Sequence, residues 1–341
     1  MKFLNRESLR NLFLAGLFLV FITVGLRAIA PGAPSAPDYQ AGSPGSEVVV
    51  EIPTGATGST IAQILLQNDV IKSELAFFRV AVSDRRSARI APGEHRLERK
   101  IPAKIALEQL LDPERIVNLV KVRDGAWLGE IVSSLEAVGF KRVNIAKALA
   151  ERRPPTAFAT KSLEGFLYPA FYSPVKGATA GDVIDQMLAR FVSDTSEIKW
   201  MYGKYTPLQL LTVASIVESE GTPDVHGKVA RVIYNRLAKG MPLQMDSTVH
   251  YVFKRRGEIQ LSIKDTKVKN PYNTFVNTGL PPGPIGSPTI ASIKAALAPD
   301  PGPWLYFVTV EPKVTKFTDS YDEFLTFKAE YKENLARGLF K

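Results

Sequence analysis

Apolar residues at helical spacing predict a buried helix in the second half of the chain. Thr206 suits an N-cap, Pro207 suits the first helical position, and Gly221 suits the stop. Between these ends the apolar positions recur every three or four residues, at Leu210, Leu211, Ala214 and Val217. The pattern therefore predicts a mostly buried helix that carries Glu218 beside its apolar face.

Two carboxylates lie near the end of this helix, at Glu218 and Glu220. They are two positions apart, or about 200° around the helix, so they face apart. A carboxyl group among apolar side chains stays protonated near neutral pH more readily, which is what a general acid needs. Glu218 is therefore a candidate general acid, and the alternative is a solvated carboxylate at the rim of the helix.

A strand–turn–helix pattern occurs three times along the chain. The first copy joins Ile52-Pro-Thr-Gly55 to an apolar helical run at 61–65, and the second joins Val122-Arg-Asp-Gly125 to a run at 131–135. A weaker third copy begins at Pro174-Val-Lys-Gly177. Further predictions are a buried strand at 304–308 and helices at 104–111, 145–152, 225–237, 289–297 and 321–335.

The N-terminus has the pattern of a membrane signal. After a basic start, residues 12–26 form an uncharged apolar run of 15 residues, which is shorter than the roughly 20 expected of a membrane span. We expect a cytoplasmic tail at 1–10 and an uncleaved anchor at 11–30; a signal peptide cleaved after Ala28-Ile-Ala30 is the alternative. Both predict export of the rest of the chain. Residues 31–46, rich in Pro, Gly and Ala, have the composition of a linker.

The amino-acid composition limits the kinds of catalytic or metal site that the chain can contain. With 341 residues, 45% hydrophobic and 23% charged, the chain is of ordinary globular composition, and its net charge of +9 favours an anionic surface or polymer as neighbour. No motif points to nucleic acid. The absence of Cys excludes disulfides and thiol catalysis, and the three His residues are widely separated. We therefore expect no metal site and no cofactor, and no elbow motif supports a Ser-His-acid triad.

Five motifs carry more specific information. They are, in order, Ala214-Ser-Ile-Val-Glu218-Ser-Glu220, Val232-Ile-Tyr-Asn235-Arg236-Leu, Leu243-Gln244-Met-Asp246-Ser-Thr248-Val, Tyr272-Asn273-Thr274 and Gly279-Leu-Pro-Pro-Gly283-Pro-Ile. In this order and spacing they resemble the membrane-bound endolytic murein transglycosylases, also called YceG-like or MltG proteins. Upstream, Leu163-Glu164-Gly165-Phe-Leu-Tyr-Pro169 is similar to the Glu-Gly-x-Leu-x-Pro signature of that family.

Two positions depart from the family's usual pattern. Ala170 stands where the family usually has Asp, so either that Asp is dispensable for the chemistry or the edge of the substrate site differs here. Ser287-Pro288-Thr289 stands in place of the usual Asn-Pro-Gly. We interpret either Ser287 or Thr289 as the N-cap of the helix predicted at 289–297.

The resemblance implies an exported α+β protein. Its expected parts are the N-terminal membrane anchor, a LysM-like βα module at 47–98, a connecting βα region at 99–160 and a YceG-like α+β catalytic domain at 161–341. LysM-like modules in general bind polymers of N-acetylglucosamine, and the alternative is that this module only packs. The resemblance also implies a single-pass protein of the inner membrane with its catalytic domain in the periplasm.

The implied activity is that of a peptidoglycan lytic transglycosylase. In that scheme Glu218 protonates the oxygen between N-acetylmuramic acid (MurNAc) and N-acetylglucosamine (GlcNAc), and then accepts the proton of the C6 hydroxyl of MurNAc. The product is a 1,6-anhydro end, formed without water. Most other glycosidases need two carboxylates, so a single apolar-flanked Glu fits this scheme better.

Other motif residues are expected around the substrate. The resemblance places Gln244, Asp246, Tyr272 and Asn273 at the cleft, where they would hold N-acetyl and hydroxyl groups. The alternative for Asp246 is a turn or cap residue. Glu164 is either a second acid or a support for nearby loop amides. For Asn235 and Arg236 we favour a structural role that ties down loops.

The expected partners are glycan strands, inner-membrane lipid and peptidoglycan synthases, beside which the enzyme would trim nascent strands. Two other functions stay open on the sequence alone. One is a muramidase-type hydrolase, with Asp246 or Glu164 as second carboxylate, which leaves reducing ends. The other is a non-catalytic adaptor that binds the cell wall and creates no new chain ends.

Overall fold

The computed structural model describes residues 36–256 and 261–340. The predicted cytoplasmic tail and anchor lie outside the described residues. Within the described ranges, no helix is both long enough and apolar enough to span a membrane. The chain forms two compact units, the first from residues 36–50, 56–90 and 96–112 and the second from 51–55, 91–95 and 113–340. The first unit thus continues past the predicted end of the LysM-like module, to Asp112.

The first unit is largely helical. Its helices are α1 (Gly58–Gln67), α2 (Glu74–Ser83) and α3 (Ala103–Leu111). The strands β1 (Glu47–Ile52) and β2 (Gly93–Glu98) pair in a two-stranded sheet. The Thr57 hydroxyl accepts a hydrogen bond from the backbone of α1, and the Ser73 hydroxyl does the same for α2, so both helix starts are capped by their own neighbouring residue.

Part of the predicted linker is bonded to this unit. The Ser73 hydroxyl donates to the Pro37 carbonyl at 2.8 Å, and the Ala103 N–H donates to the Asp38 carboxylate at 3.0 Å. Asp38 therefore supplies the N-terminal cap that Pro102, which precedes α3, cannot offer. The described part of the linker is thus bonded to the first unit, which its Pro-rich composition did not indicate.

The second unit mixes helices with two small sheets. Its elements are β3 (Val120–Val122), α4 (Leu128–Ala137), α5 (Arg142–Glu151), β4 (Ala170–Tyr172), α6 (Ala180–Asp194), α7 (Pro207–Glu220), α8 (His226–Ala238), α9 (Asp246–Phe253), α10 (Ile290–Leu297), β5 (Tyr306–Glu311), β6 (Val314–Thr318) and α11 (Tyr321–Ala336). Strands β3 and β4 pair antiparallel, with Val122 opposite Ala170, and β5 pairs antiparallel with β6. The predicted α+β class is confirmed, and Ala170 is a strand residue.

The three predicted strand–turn–helix copies are all present. They are β1 with α1, β3 with α4, and β4 with α6. The turn in each copy has a glycine in the left-handed backbone region, with φ of 76° at Gly55, 65° at Gly125 and 82° at Gly177. A side chain would strain this conformation, which explains why each copy has Gly at this point.

Helix α7 is the centre of the second unit. All eight residues from Leu210 to Val217 are buried. The helix packs against α8, α9 and α10, and its start is fixed by a capping box in which Thr206 and Gln209 bond each other's backbone. The predicted buried helix is confirmed. This packing fixes the backbone that carries Glu218.

Candidate functional site

Glu218 lies in the last turn of α7 and is half-buried. Its Oε2 accepts two hydrogen bonds from one residue, Thr289: the backbone N–H donates at 2.9 Å and the hydroxyl at 2.6 Å. Among residues 36–256 and 261–340, no donor lies on Oε1. One carboxyl oxygen is therefore held by the protein, and the other is left for a substrate.

The segment before Thr289 is bonded to α7. The Ile285 N–H donates to the Ser215 hydroxyl of α7 at 3.0 Å. Thr289, one of the two N-cap candidates that the sequence left open, takes the N-cap position of α10, but its side chain makes no capping bond. The hydroxyl bonds Glu218 instead. The sequence identified the cap position and missed the contact with the carboxylate.

A second loop, at Gly125, lies close to Glu218. A β-carbon built on Gly125 would lie 3.5 Å from Cγ of Glu218. This loop is joined to Ser287 by two backbone hydrogen bonds, from the Gly125 N–H to the Ser287 carbonyl and from the Ser287 N–H to the Ala126 carbonyl, both at 2.9 Å. The loops at 125–126 and 287–289 are thus bonded to each other through main-chain atoms, and the second loop also bonds Glu218 through Thr289.

Asp124 is a second carboxylate beside Glu218. Partial burial of its carboxyl, followed by the negative charge of Glu218, raises the pKa of Asp124 above its ordinary value. The residue is otherwise exposed. Asp124 is not among the site residues predicted from the sequence. The sequence does distinguish it, because the two other repeats have Thr54 and Lys176 at the same offset before the turn glycine.

Glu220 faces a different neighbour. Its Oε1 accepts a hydrogen bond from the Ser247 N–H at 3.0 Å, at the start of α9, where the N-cap Met245 has no side-chain acceptor. Burial of the carboxyl, followed by the charge of Asp246, raises the pKa of Glu220 to about 7. Glu220 therefore caps α9. Its carboxyl titrates near neutral pH, although no catalytic role was predicted for this residue.

Two of the predicted substrate-binding residues are exposed. Gln244 has a left-handed backbone with φ of 51°, and its Oε1 accepts from Nη1 of Arg236 at 3.3 Å. Asp246 is the first residue of α9. Tyr272 is half-buried, and its ring centroid lies 5.0 Å from that of Tyr251. These three side chains remain open to a ligand.

The two other predicted contacts are buried inside loops. The amide of Asn273 donates to the Thr266 and Val268 carbonyls, and its oxygen accepts from the Phe275 N–H. The carboxyl of Glu164 accepts from the Leu128 N–H and from the Tyr251 hydroxyl, both at 2.9 Å. These bonds occupy both side chains in holding the backbone. For Glu164 this is the loop-supporting role that the sequence left open.

Asn235 and Arg236 also hold loops, which confirms their interpretation as structural. The amide of Asn235 donates to the Gly302 and Trp304 carbonyls. The buried guanidinium of Arg236 donates to the Leu305 and Leu243 carbonyls. Helix α8 is thereby tied to the segment before β5 and to the segment before α9.

The possible metal ligands among the described residues do not form a cluster. Within 36–256 and 261–340, no group of three His, Asp or Glu side chains could hold one. The buried His95 and His226 each direct Nε2 at a backbone carbonyl, of Ala91 and of Gly221 respectively.

Comparison with known proteins extends the resemblance over most of the chain. The model of the YceG-like family matches residues 50–330. An endolytic murein transglycosylase of Bacillus subtilis (strain 168) is 34% identical over an alignment of 307 positions, and the match covers 83% of this chain and 84% of that protein. An endolytic murein transglycosylase of Streptococcus pneumoniae serotype 2 (strain D39) is 39% identical over 153 residues, 43% of this chain and 28% of that protein.

A solved structure agrees with the sequence comparisons. A YceG-like protein from Listeria monocytogenes superposes with a TM-score of 0.56 at 27% identity, and the match covers 83% of this chain and 99% of that one. The matched range of the family model includes Glu218, Thr289 and the Gly125 loop. On these grounds the chain belongs to the YceG-like family.

Proposed function

We propose that this protein is a lytic transglycosylase that cleaves peptidoglycan glycan strands internally, with Glu218 as its catalytic residue. The observation that carries the proposal is the asymmetric carboxyl of Glu218, with Oε2 held by two donors of Thr289 and Oε1 left open. The names of the two bacterial relatives, both endolytic murein transglycosylases, support the same activity.

The reaction needs one carboxyl group used twice. Glu218 first gives its proton to the oxygen that joins C1 of MurNAc to GlcNAc. The C1–O bond breaks, the GlcNAc part leaves as an alcohol, and positive charge develops at C1. The C6 hydroxyl of the same MurNAc then attacks C1 and returns its proton to the carboxylate. The product carries a 1,6-anhydro ring, water is not consumed, and Glu218 ends protonated.

The hydrolase alternative needs a second carboxylate near Glu218, and Asp124 is a candidate for it. The sequence offered Asp246 or Glu164 as a second carboxylate. Glu164 is occupied by the Leu128 amide and Tyr251, whereas Asp246 neighbours Glu220. Asp124 neighbours Glu218 itself. A hydrolase would therefore use Asp124, either as a nucleophile or as a base for water, and would leave a reducing end.

We assign substrate contact to the open side chains of the predicted set, Gln244, Asp246 and Tyr272. Each keeps polar atoms for sugar hydroxyl or N-acetyl groups, and all three belong to motifs of the second unit. Asn273 and Glu164 are assigned to loop support instead, because their side chains bond backbone groups.

The proposal extends to the remaining parts of the chain. The order β1, α1, α2, β2 in the N-terminal part supports a LysM-like module that binds glycan. The basic start and apolar run at 1–30 support an uncleaved inner-membrane anchor, with the rest of the chain in the periplasm. The net charge of +9 favours contact with anionic wall and lipid. Peptidoglycan synthases are the proposed protein partners.

The products decide between these functions. We expect purified sacculi treated with the protein in H₂¹⁸O to release fragments with unlabelled 1,6-anhydro ends, as seen by mass spectrometry. Reducing ends that carry ¹⁸O would identify a hydrolase. Saturable binding of the protein to sacculi, with no new ends of either kind, would identify an adaptor.

A further inference from the structure

The side chain of Thr289 is used differently from those of the other Ser and Thr caps. Five described helices begin after a Ser or Thr whose hydroxyl accepts from its own helix: Thr57, Ser73, Thr179, Thr206 and Ser320. Thr289 is also an N-cap, yet its hydroxyl makes no capping bond. It donates to Oε2 of Glu218 at 2.6 Å.

The two donors on Oε2 define what each carboxyl oxygen can do. An oxygen that accepts from both an N–H and an O–H has its lone pairs occupied, so in the neutral acid the proton sits on the other oxygen. That other oxygen is Oε1, to which no residue in the described ranges donates. Because Oε2 is held in both protonation states, the same oxygen would give the first proton and accept the second.

We propose that Thr289 is a positioning residue that holds Oε2 of Glu218 and so dedicates Oε1 to both proton transfers. The inference rests on the proposed function of Glu218 and adds to it the residue that orients the acid. Thr289 thus sets which oxygen of the Glu218 carboxyl carries the proton.

The surroundings allow the hydroxyl to be removed while the backbone stays in place. The Thr289 carbonyl accepts from the Ile293 N–H at 3.1 Å and from the Ser292 hydroxyl at 3.0 Å, so helix α10 fixes the main chain of this residue. Its backbone angles, φ −78° and ψ 167°, are extended and suit a β-branched residue. Valine at this position would keep shape and backbone N–H and lose only the hydroxyl donor.

The test compares three substitutions in the full-length protein. Thr289→Val removes the hydroxyl, Thr289→Ser keeps it, and Thr212→Val is the matched control. The Thr212 hydroxyl donates to the Leu208 carbonyl inside α7. The measurement is kcat and KM for the release of anhydro ends, with thermal melts to show that each variant is folded.

We expect Thr289→Val to lower the maximal kcat by about 10-fold, the scale of one lost hydrogen bond to a charged group, with KM little changed. Thr289→Ser should restore the parental kcat, and Thr212→Val should leave both kcat and KM unchanged.

Two results would overturn the inference. One is a folded Thr289→Val protein with parental kcat, and the other is a Thr289→Ser protein that behaves like Thr289→Val. Glu218→Gln, assayed alongside, separates this failure from that of the proposed function. If Glu218→Gln is inactive and Thr289→Val is normal, only the role of Thr289 is wrong. If Glu218→Gln is active, the proposed catalytic residue itself is wrong.

Discussion

Replacing Glu220 by Gln should change how stability depends on pH. In the folded protein the pKa of Glu220 is raised from 4.5 to about 7, first by burial and then by the charge of Asp246. The folded state therefore favours the protonated form. The stabilisation of the folded state by this protonated carboxyl is complete below pH 4.5 and is lost as the pH rises through 7. One pKa unit corresponds to about 1.36 kcal/mol, so the free energy of unfolding falls by up to about 3 kcal/mol, and by less because Glu220 is partly exposed.

The Gln variant isolates this effect. Its side-chain oxygen still accepts from the Ser247 N–H, but it has no proton to lose. We expect Glu220→Gln to be more stable than the parent at pH 8 and close to it at pH 5, measured as the difference in urea midpoints between the two proteins at each pH. Glu333→Gln, an exposed change on α11, serves as control. A parent and a Glu220→Gln variant with the same pH dependence would refute the reasoning.

Three further changes test other parts of the account. Asp124→Asn should reduce cleavage by less than about 10-fold and leave the products as anhydro ends, whereas a near-complete loss would favour a two-carboxylate hydrolase. Replacing residues 56–90 by a Gly-Ser linker should weaken binding to sacculi more than it lowers kcat at saturating substrate; unchanged binding would mean that the first unit only packs. The full-length protein should stay in the membrane fraction with residues 1–26 attached, and N-terminal sequencing that begins at Pro31 would replace the anchor by a signal peptide.

The parts of the fold that follow from local sequence were predictable. Helix α7 has its cap at Thr206, its proline at 207 and its apolar spacing within one continuous stretch, so pattern and structure agree. The repeated glycine turns at Gly55 and Gly125 are equally local, since the backbone there has positive φ.

The contacts that complete the site were not predictable from pattern. Glu218 is braced by Thr289 and by the Gly125 loop, and each belongs to a segment far from α7 in sequence. Hydrophobic periodicity describes which face of a helix is buried and says nothing about which distant loop reaches its end. The sequence at 287–289 departs from the family pattern, and this departure places at position 289 the hydroxyl that bonds the carboxylate.

One strand also differs from expectation. The apolar run at 304–308 predicted a buried strand, but β5 begins at Tyr306 and is mostly half-buried. It pairs with β6 in a two-stranded sheet, and its register shifts between Thr309 and Glu311. A run of apolar residues cannot distinguish a central strand from one hairpin strand, because both need apolar side chains on at least one face.

The most direct test of the central claim is the yield of 1,6-anhydro ends from Glu218→Gln against the parent, on purified sacculi. Gln keeps the size of the side chain and an oxygen that can accept from Thr289, but it can neither give nor take the proton. General acid–base catalysis is worth roughly 10²–10⁴-fold in rate, so the yield should nearly vanish while the melting temperature stays close to that of the parent. A folded Glu218→Gln protein with near-normal yield would contradict the account.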